Sequence, residues 1–252
     1  MGTTARPRRY RGITSEERSA ERRVKLLDAG LRLFGETGGY AQTTIRDICT
    51  AAGLNQRYFY ESFASREELL MAVYDRVVSE LARALLVVAE GADVEAKASA
   101  GLAAWWGVLT SDPHKARLVC VEGVDVSKRM AKRHRDARGM TTAFMVAQLK
   151  TVPGYPGGWR DDELKLHAHW LVAGTVDLMT QWLDGELDRS VDQAVKESTE
   201  RFLLVSKHVL EGPPASAARR RGSKAKTAPP HAAAATARNG GVRRSRASRG
   251  SD

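Results

Sequence analysis

The sequence predicts an all-α fold of about nine helices, on three observations. Apolar residues recur at intervals of three and four, runs of alternating β-branched and aromatic residues are scarce, and helix-start signals return along the chain. At 252 residues with 42% hydrophobic content, the chain can bury a substantial core in one or two domains.

Taken in order, the first helix starts at the capping pair Thr14 and Glu17 and stops at Gly38-Gly39. Ala20, Val24, Leu27, Leu31 and Phe34 are its expected buried stripe. Thr44 and Asp47 form a capping box for a second helix, with Ile45, Ile48 and Cys49 facing inward. Gly53 supplies the left-handed backbone that ends that helix, and Asn55 caps a third. Cys49 falls where those two helices should cross, a place for a small apolar side chain, and Phe59 and Phe63 should point into the core. Further starts follow at Ser65 with Glu68, Asp112 before Pro113, Ser127, Asp161 or Asp162, and Ser190 with Gln193. They divide residues 65–211 into about six helices. The loop Val152 to Trp159, with two prolines and three glycines, separates a helix ending near Lys150 from one beginning near Asp161.

The net charge of +10 is unevenly placed. Residues 1–66 hold 12 Lys/Arg against 7 Asp/Glu, residues 67–211 hold 18 against 22, and residues 212–252 hold 10 against 1. A slightly acidic middle between basic ends points to nucleic acid as a partner. The last segment, with Pro213, Pro214, Pro229, Pro230, alanine runs and Arg219 to Arg221, lacks the apolar content to offset its ordering entropy. The expected division is therefore a disordered basic arm (1–13), a DNA-binding domain (14–64), a helical domain (65–211) and a disordered basic tail (212–252). Arg6, Arg8, Arg9 and Arg11 without a following apolar run exclude a secretory signal, and no segment approaches the ~20 apolar residues of a membrane span. Cys49 and Cys120 are too few for a disulfide framework or a cysteine zinc site. The expected location is the cytoplasm.

Residues 43–60 have the parts of a helix-turn-helix in order: capping box, apolar face, left-handed glycine, second cap. In such a unit the second helix enters the major groove with its first turn at the base edges. Gln56, Arg57 and Tyr58 occupy that turn. Arginine suits guanine O6 and N7, glutamine suits adenine, and tyrosine can meet a thymine methyl or a phosphate. Thr44, Tyr60 and Arg66 lie at or near helix starts, where phosphates bind, and Arg46 and Asn55 complete the expected DNA-binding set.

The run from Gly53 through Asn55, Tyr60, Phe63, Arg66, Glu67 and Glu68 to Leu70 closely resembles the N-terminal signature of TetR-family regulators, and the resemblance covers residues 16–75. Three positions depart from it: Asn55 for the usual Ser, which keeps the cap; Tyr58 for Thr or Ser; and Arg66 for Lys. The resemblance implies a C-terminal helical ligand-binding and dimerisation domain. It places a homodimer interface on the helices at about 161–183 and 191–210, joined by a turn at Trp182 to Leu187. It also implies an apolar cavity among the middle helices. Trp105, Trp106, Leu109, Met140, Phe144, Met145, Trp170 and Met179 are the aromatic and soft residues suited to line it, and His134, His167, His169 and Asp177 are its polar handles. The alternative for each is plain core. His167 and His169, two apart on a helix, face different ways, so no metal is expected, and no cofactor. The basic run Lys128 to Arg135 reads first as a solvated helix face, with an anionic ligand or a second nucleic-acid contact as alternatives.

The expected function is thus a sequence-specific transcriptional regulator, by family habit a repressor, released from a palindromic double-stranded operator by a small apolar or amphipathic effector. A largely nonspecific architectural DNA-binding protein, dominated by its tail, is the first alternative. An enzyme is the second: Glu122, Asp125, His167, His169 and Asp177 offer acid-base groups, but there is no nucleophile elbow, phosphate loop or metal spacing.

Overall fold

The computed structural model describes residues 14–88, 93–124 and 126–213. The basic arm, nearly all of the basic tail, Glu90 and Asp125 lie outside them. The described residues form ten α-helices and no strand: α1 (Ser15–Phe34), α2 (Gly39–Gln42), α3 (Ile45–Ala52), α4 (Gln56–Ser62), α5 (Arg66–Val88), α6 (Val94–Thr110), α7 (Pro113–Arg117), α8 (Lys128–Lys150), α9 (Asp161–Leu183) and α10 (Val191–Leu210). A single π-helical turn, Leu118–Glu122, continues α7. The tenth helix, beyond the nine expected, is the four-residue α2.

Most starts are where the caps put them. Thr14 and Glu17 close a reciprocal capping box, as do Thr44 with Asp47 and Ser190 with Gln193. Ser65 Oγ accepts from Glu68 N–H, Ser127 from Met130 N–H, and Asp112 from His114 N–H beside Pro113. One cap went unread: Asp93 Oδ1 accepts from Ala96 N–H at 2.7 Å and opens α6. At α9 the cap position is Arg160, and Asp161, Asp162 and Glu163 fill the first turn, where the helix dipole favours carboxylates.

The buried stripe of α1 keeps Leu31 and Phe34 of the expected one and departs from it nearer the start of the helix. Ala20 is exposed and Val24 is 51% exposed, while Leu26, Ala29, Gly30, Leu31 and Phe34 are buried. Both sets obey the spacing of three and four, so periodicity alone does not choose between them. Packing against α3 and α5 chooses.

A continuous core runs from the helix-turn-helix into the later helices: Leu26, Phe34, Ile48, Phe59, Leu69, Tyr74, Trp106, Leu118 and Met179 belong to one buried cluster. Where α1 ends, Gly35 meets α7 so closely that an added Cβ would lie 2.5 to 2.7 Å from His114 Cβ, O and Cα. Beside it, Gly38 N–H donates to Glu122 Oε1 at 3.1 Å, giving that acid a structural partner. A smaller cluster of Val146, Leu164, Ala168 and Val209 joins α8, α9 and α10.

Around this core, ion pairs fix the register of α5. Arg76 pairs with Asp28 of α1 at 2.7 Å, Lys115 of α7 with Glu80 at 2.8 Å, Arg129 of α8 with Glu67 at 3.5 Å, and Arg133 of α8 with Asp75. The basic run is therefore in part a clamp on α5 rather than a wholly solvated face. Each such pair contributes less than about 1 kcal/mol, but together they oppose sliding of α5.

Two glycine substitutions separate backbone strain from lost space. Gly53→Ala meets no atom within 4 Å and suffers only from its positive φ of 64°, a cost of about 1 kcal/mol. Gly35→Ala has an ordinary φ of −87° but drives a methyl into the α7 backbone, and should cost about 1–3 kcal/mol. Urea unfolding should place Gly35→Ala below Gly53→Ala in stability.

Candidate nucleic-acid interface and interior cavities

The turn between α3 and α4 is built by hydrogen bonds that the sequence dictates locally. Thr44 Oγ1 accepts from Asp47 N–H at 3.2 Å, and Asp47 Oδ2 accepts from Thr44 N–H at 2.9 Å and from its hydroxyl at 2.6 Å. Gly53, at φ 64° and ψ 35°, turns the chain, and Leu54 N–H returns to Cys49 O at 2.9 Å. Asn55 Oδ1 then accepts from Tyr58 N–H at 3.3 Å and starts α4. Cys49 is buried at the crossing, and burial pushes its thiol above the ordinary range, as suits a packing residue.

Phe59 and Phe63 lie in the core, so the opposite side of α4 faces solvent. Gln56 and Arg57 are exposed there, the Arg57 side chain at 83%, and Tyr60 is 57% exposed with its ring edge-on to Phe59. Thr44, Arg46 and Asn55 are exposed around them. Arginine and glutamine side by side on an exposed first turn carry the donor and acceptor sets that match base edges.

Two of the expected contact residues are otherwise engaged. Tyr58 is half-buried, with the Arg22 guanidinium 4.5 Å from its ring centroid. Arg66 turns inward: its guanidinium lies 4.1 Å over the Tyr40 ring and donates to the Thr43 carbonyl. It braces the start of α3 instead of projecting toward a phosphate. Sequence reasoning also missed Arg22 and Arg23. Arg22 reaches Glu61 at 3.6 Å, the same carboxylate that holds Arg57 at 3.1 Å, and Arg23 donates to Ser62 O at 2.9 Å across the Phe63 ring. Their spacing on α1 carries no local signal of these contacts, which span 39 residues.

Two cavities lie among the later helices. One, of about 160 Å³, is enclosed by α6, α8, α9 and α10 and lined by Leu102, Met145, Leu164, His167 and Val209 among others. The other, of about 220 Å³, lies between α5, α6 and α8 and is lined by Tyr74, Leu81, His134, Arg138 and Met140. Trp105, Thr141, Phe144 and Val172 border both. Of the residues expected at a pocket, Trp105, Met140, Phe144, Met145, His134 and His167 do line one. Trp106, Leu109 and Met179 are fully buried core and line neither, because their helices turn them toward the shared core. Trp170, 66% exposed, points outward, and His169 and Asp177 are exposed.

His167 packs edge-on against Trp159 and His208, with ring centroids 5.4 Å apart, and Trp159 Nε1 donates to Val209 O at 2.8 Å. Burial, aided by the neighbouring His208, lowers the His167 pKa, favouring the neutral ring.

Residues 26–73 match the family model for bacterial regulatory proteins of the tetR family. The chain is similar in fold to a putative transcriptional regulator from Pseudomonas aeruginosa PAO1 (TM-score 0.62, 21% identity, covering 83% of this chain and 95% of that one). It is also similar to the fatty acid degradation regulator FadR from Bacillus halodurans (TM-score 0.62, 18% identity, 72% and 94%). FadR from Bacillus subtilis, solved in complex with stearoyl-CoA, is a further likeness (TM-score 0.61, 15% identity, 71% and 96%). No curated protein matches the sequence. The matched segment is thus of the tetR type, and it sits in an all-α fold like that of these solved regulators. The matched residues run from within α1 to within α5 and include the turn between α3 and α4. Among the described residues no helix is long and apolar enough to cross a membrane.

The capping box has a pH signature. Hydrogen bonds from the Thr44 hydroxyl and backbone N–H hold the Asp47 carboxyl below its ordinary 3.8. A depressed carboxylate stabilises the fold above that ordinary value and loses its contribution as pH falls through the lower folded value. Asp47→Asn should therefore be less stable than wild type at pH 7, and urea midpoints should converge as the pH drops below about 3.8.

Proposed function

We propose that this chain is a homodimeric repressor that binds a palindromic operator through α4 and releases it when a small apolar or amphipathic molecule enters the interior cavities. The observation that carries this reading is the exposed first turn of α4, where Gln56 and Arg57 face solvent while Phe59 anchors the opposite side. Base-edge contacts are assigned to Gln56 and Arg57, with Tyr58 beside them. Phosphate contacts are assigned to Thr44, Arg46, Asn55 and Tyr60, and Arg66 acts from behind through Thr43. One short helix reads few base pairs, so two copies about one helical turn apart supply specificity.

The second copy is assigned to α9 and α10. Leu166 and Trp170 on α9 and Leu204 on α10 are 69%, 66% and 70% exposed, the kind of large apolar side chains a partner covers. The expected effector class is supported by apolar-lined cavities larger than the ~150 Å³ that suffices for a benzene-sized guest. An effector acts by binding one arrangement of α5 better than the other.

The second reading, a nonspecific architectural protein, draws on the ten basic residues of 212–252. Sequencing the genomic fragments that the purified protein retains separates the two. The regulator reading expects a small set sharing an inverted repeat; retention without sequence preference overturns it. On a retained fragment, Arg57→Ala should weaken binding by about 1–3 kcal/mol, roughly tenfold to a hundredfold, in a gel-shift titration. Truncation after residue 211 should change mainly nonspecific affinity and its salt slope. Trp170→Glu should shift the protein from dimer to monomer in analytical ultracentrifugation.

A further inference from the structure

Most of the cations on α8 are matched or solvated. Arg129 and Arg133 pair with acids of α5, Lys132 with Asp136, and Arg135 is exposed. Arg138, one turn further on, differs. It lines the 220 Å³ cavity, its buried Nε has no hydrogen-bond partner, and no ion pair among the described residues includes it. Two polar groups share that cavity wall: Tyr74, 1% exposed on α5, and His134, 7% exposed on α8, with the Tyr74 hydroxyl 3.2 Å from His134 Nδ1.

Neither Tyr74 nor the neighbouring thiol answers the Arg138 charge. Burial raises the Tyr74 pKa far above its ordinary value and pushes Cys120 up to about 12, so both are neutral at physiological pH. Asp75, which also bears on Tyr74, is already paired with Arg133. An arginine stays protonated under these conditions. The cavity wall thus holds one cation without an ion-pair partner and two buried hydrogen-bonding groups, while Leu81, Leu85, Trp105 and Phe144 make much of the remainder apolar.

We propose that this cavity binds an amphipathic monocarboxylate, with its carboxylate at Arg138, Tyr74 and His134 and its hydrocarbon body along Leu81, Trp105 and Phe144. As an effector class this rests on the regulatory reading above; as a statement about the cavity it stands apart from it. The carboxylate supplies the missing counter-ion and accepts charge-assisted hydrogen bonds from the guanidinium. A neutral alcohol of the same length fills the same apolar volume but leaves the cation unmatched, which is where discrimination arises. At about 220 Å³ the cavity exceeds the ~150 Å³ that holds a benzene-sized guest, and Trp105 and Phe144 also border the 160 Å³ cavity. The headgroup anchors sit on two helices, Tyr74 on α5 and Arg138 with His134 on α8, so the ligand tightens or shifts the contact that Arg133 and Asp75 already make.

The test uses the full chain without DNA, titrated with sodium octanoate and with 1-octanol by calorimetry and by tryptophan fluorescence. Octanoate should bind at least about tenfold more tightly than 1-octanol, Arg138→Met should abolish that preference while leaving 1-octanol affinity within about twofold, and Tyr74→Phe should weaken octanoate several-fold. Equal affinities in the wild-type protein overturn the proposal, without need of any variant, as does an Arg138→Met protein that keeps the preference. Operator release is read separately on a retained fragment. Octanoate that binds with this preference but leaves operator affinity unchanged supports the carboxylate site and removes the regulatory reading. Release by 1-octanol and not by octanoate keeps the regulatory reading and overturns the monocarboxylate as its effector class.

Discussion

Along its inner side α5 buries Leu69, Leu70, Val73, Tyr74 and Val77 without a break, so the residues that complete the helix-turn-helix core and those that wall the cavity belong to one rod. The helix contains neither glycine nor proline, the usual causes of a kink. It is therefore one uninterrupted helix, with the helix-turn-helix core packed near its start and the cavity wall further along. The rest of the architecture serves to hold this rod: α1 and α6 pack along it, α7 reaches it through Lys115, and α8 pins it with Arg129 and Arg133.

Apolar and polar contacts divide that task. Burial of Leu69, Leu70 and Val73 against Leu26 and Phe34 supplies most of the free energy, since each fully buried side chain is worth about 1.5–3 kcal/mol. The exposed ion pairs add little energy, but they define where along α1, α7 and α8 the rod rests. Such weak, directional contacts can be rearranged at small cost. The close seat of Gly35 on α7 couples the end of α1 to the same assembly, and Gly38 with Glu122 extends the seat to the π-helical turn.

Polar groups left over from these duties locate the chemistry. On the exposed side of α4, Arg57 is lightly held by Glu61, an i,i+4 pair worth only a few tenths of a kcal/mol, so its guanidinium is free to reorient at little cost. Inside, Arg138 has no such partner. The same residue type thus stands in two settings, Arg57 exposed on α4 and Arg138 lining a cavity without an ion-pair partner among the described residues.

The sequence by itself determined whatever closes within a turn of helix: the caps at Thr14, Thr44, Asn55, Ser127 and Ser190, the left-handed Gly53, the all-α class and the tetR-type segment. These depend on residues three or four apart, and spacing encodes them directly. Only the tertiary structure decided which of two equally periodic stripes α1 buries, that Arg66 turns in toward Tyr40 and Thr43, and that the basic run of α8 grips α5. It also decided that Trp106 and Met179 are core, that Trp170 faces out, and that Arg138 lines a cavity. Those outcomes turn on how helices far apart in the chain cross, as with Asp75 and Arg133, 58 positions apart. Local periodicity is the same for every crossing angle, so it holds no record of the one the core selects.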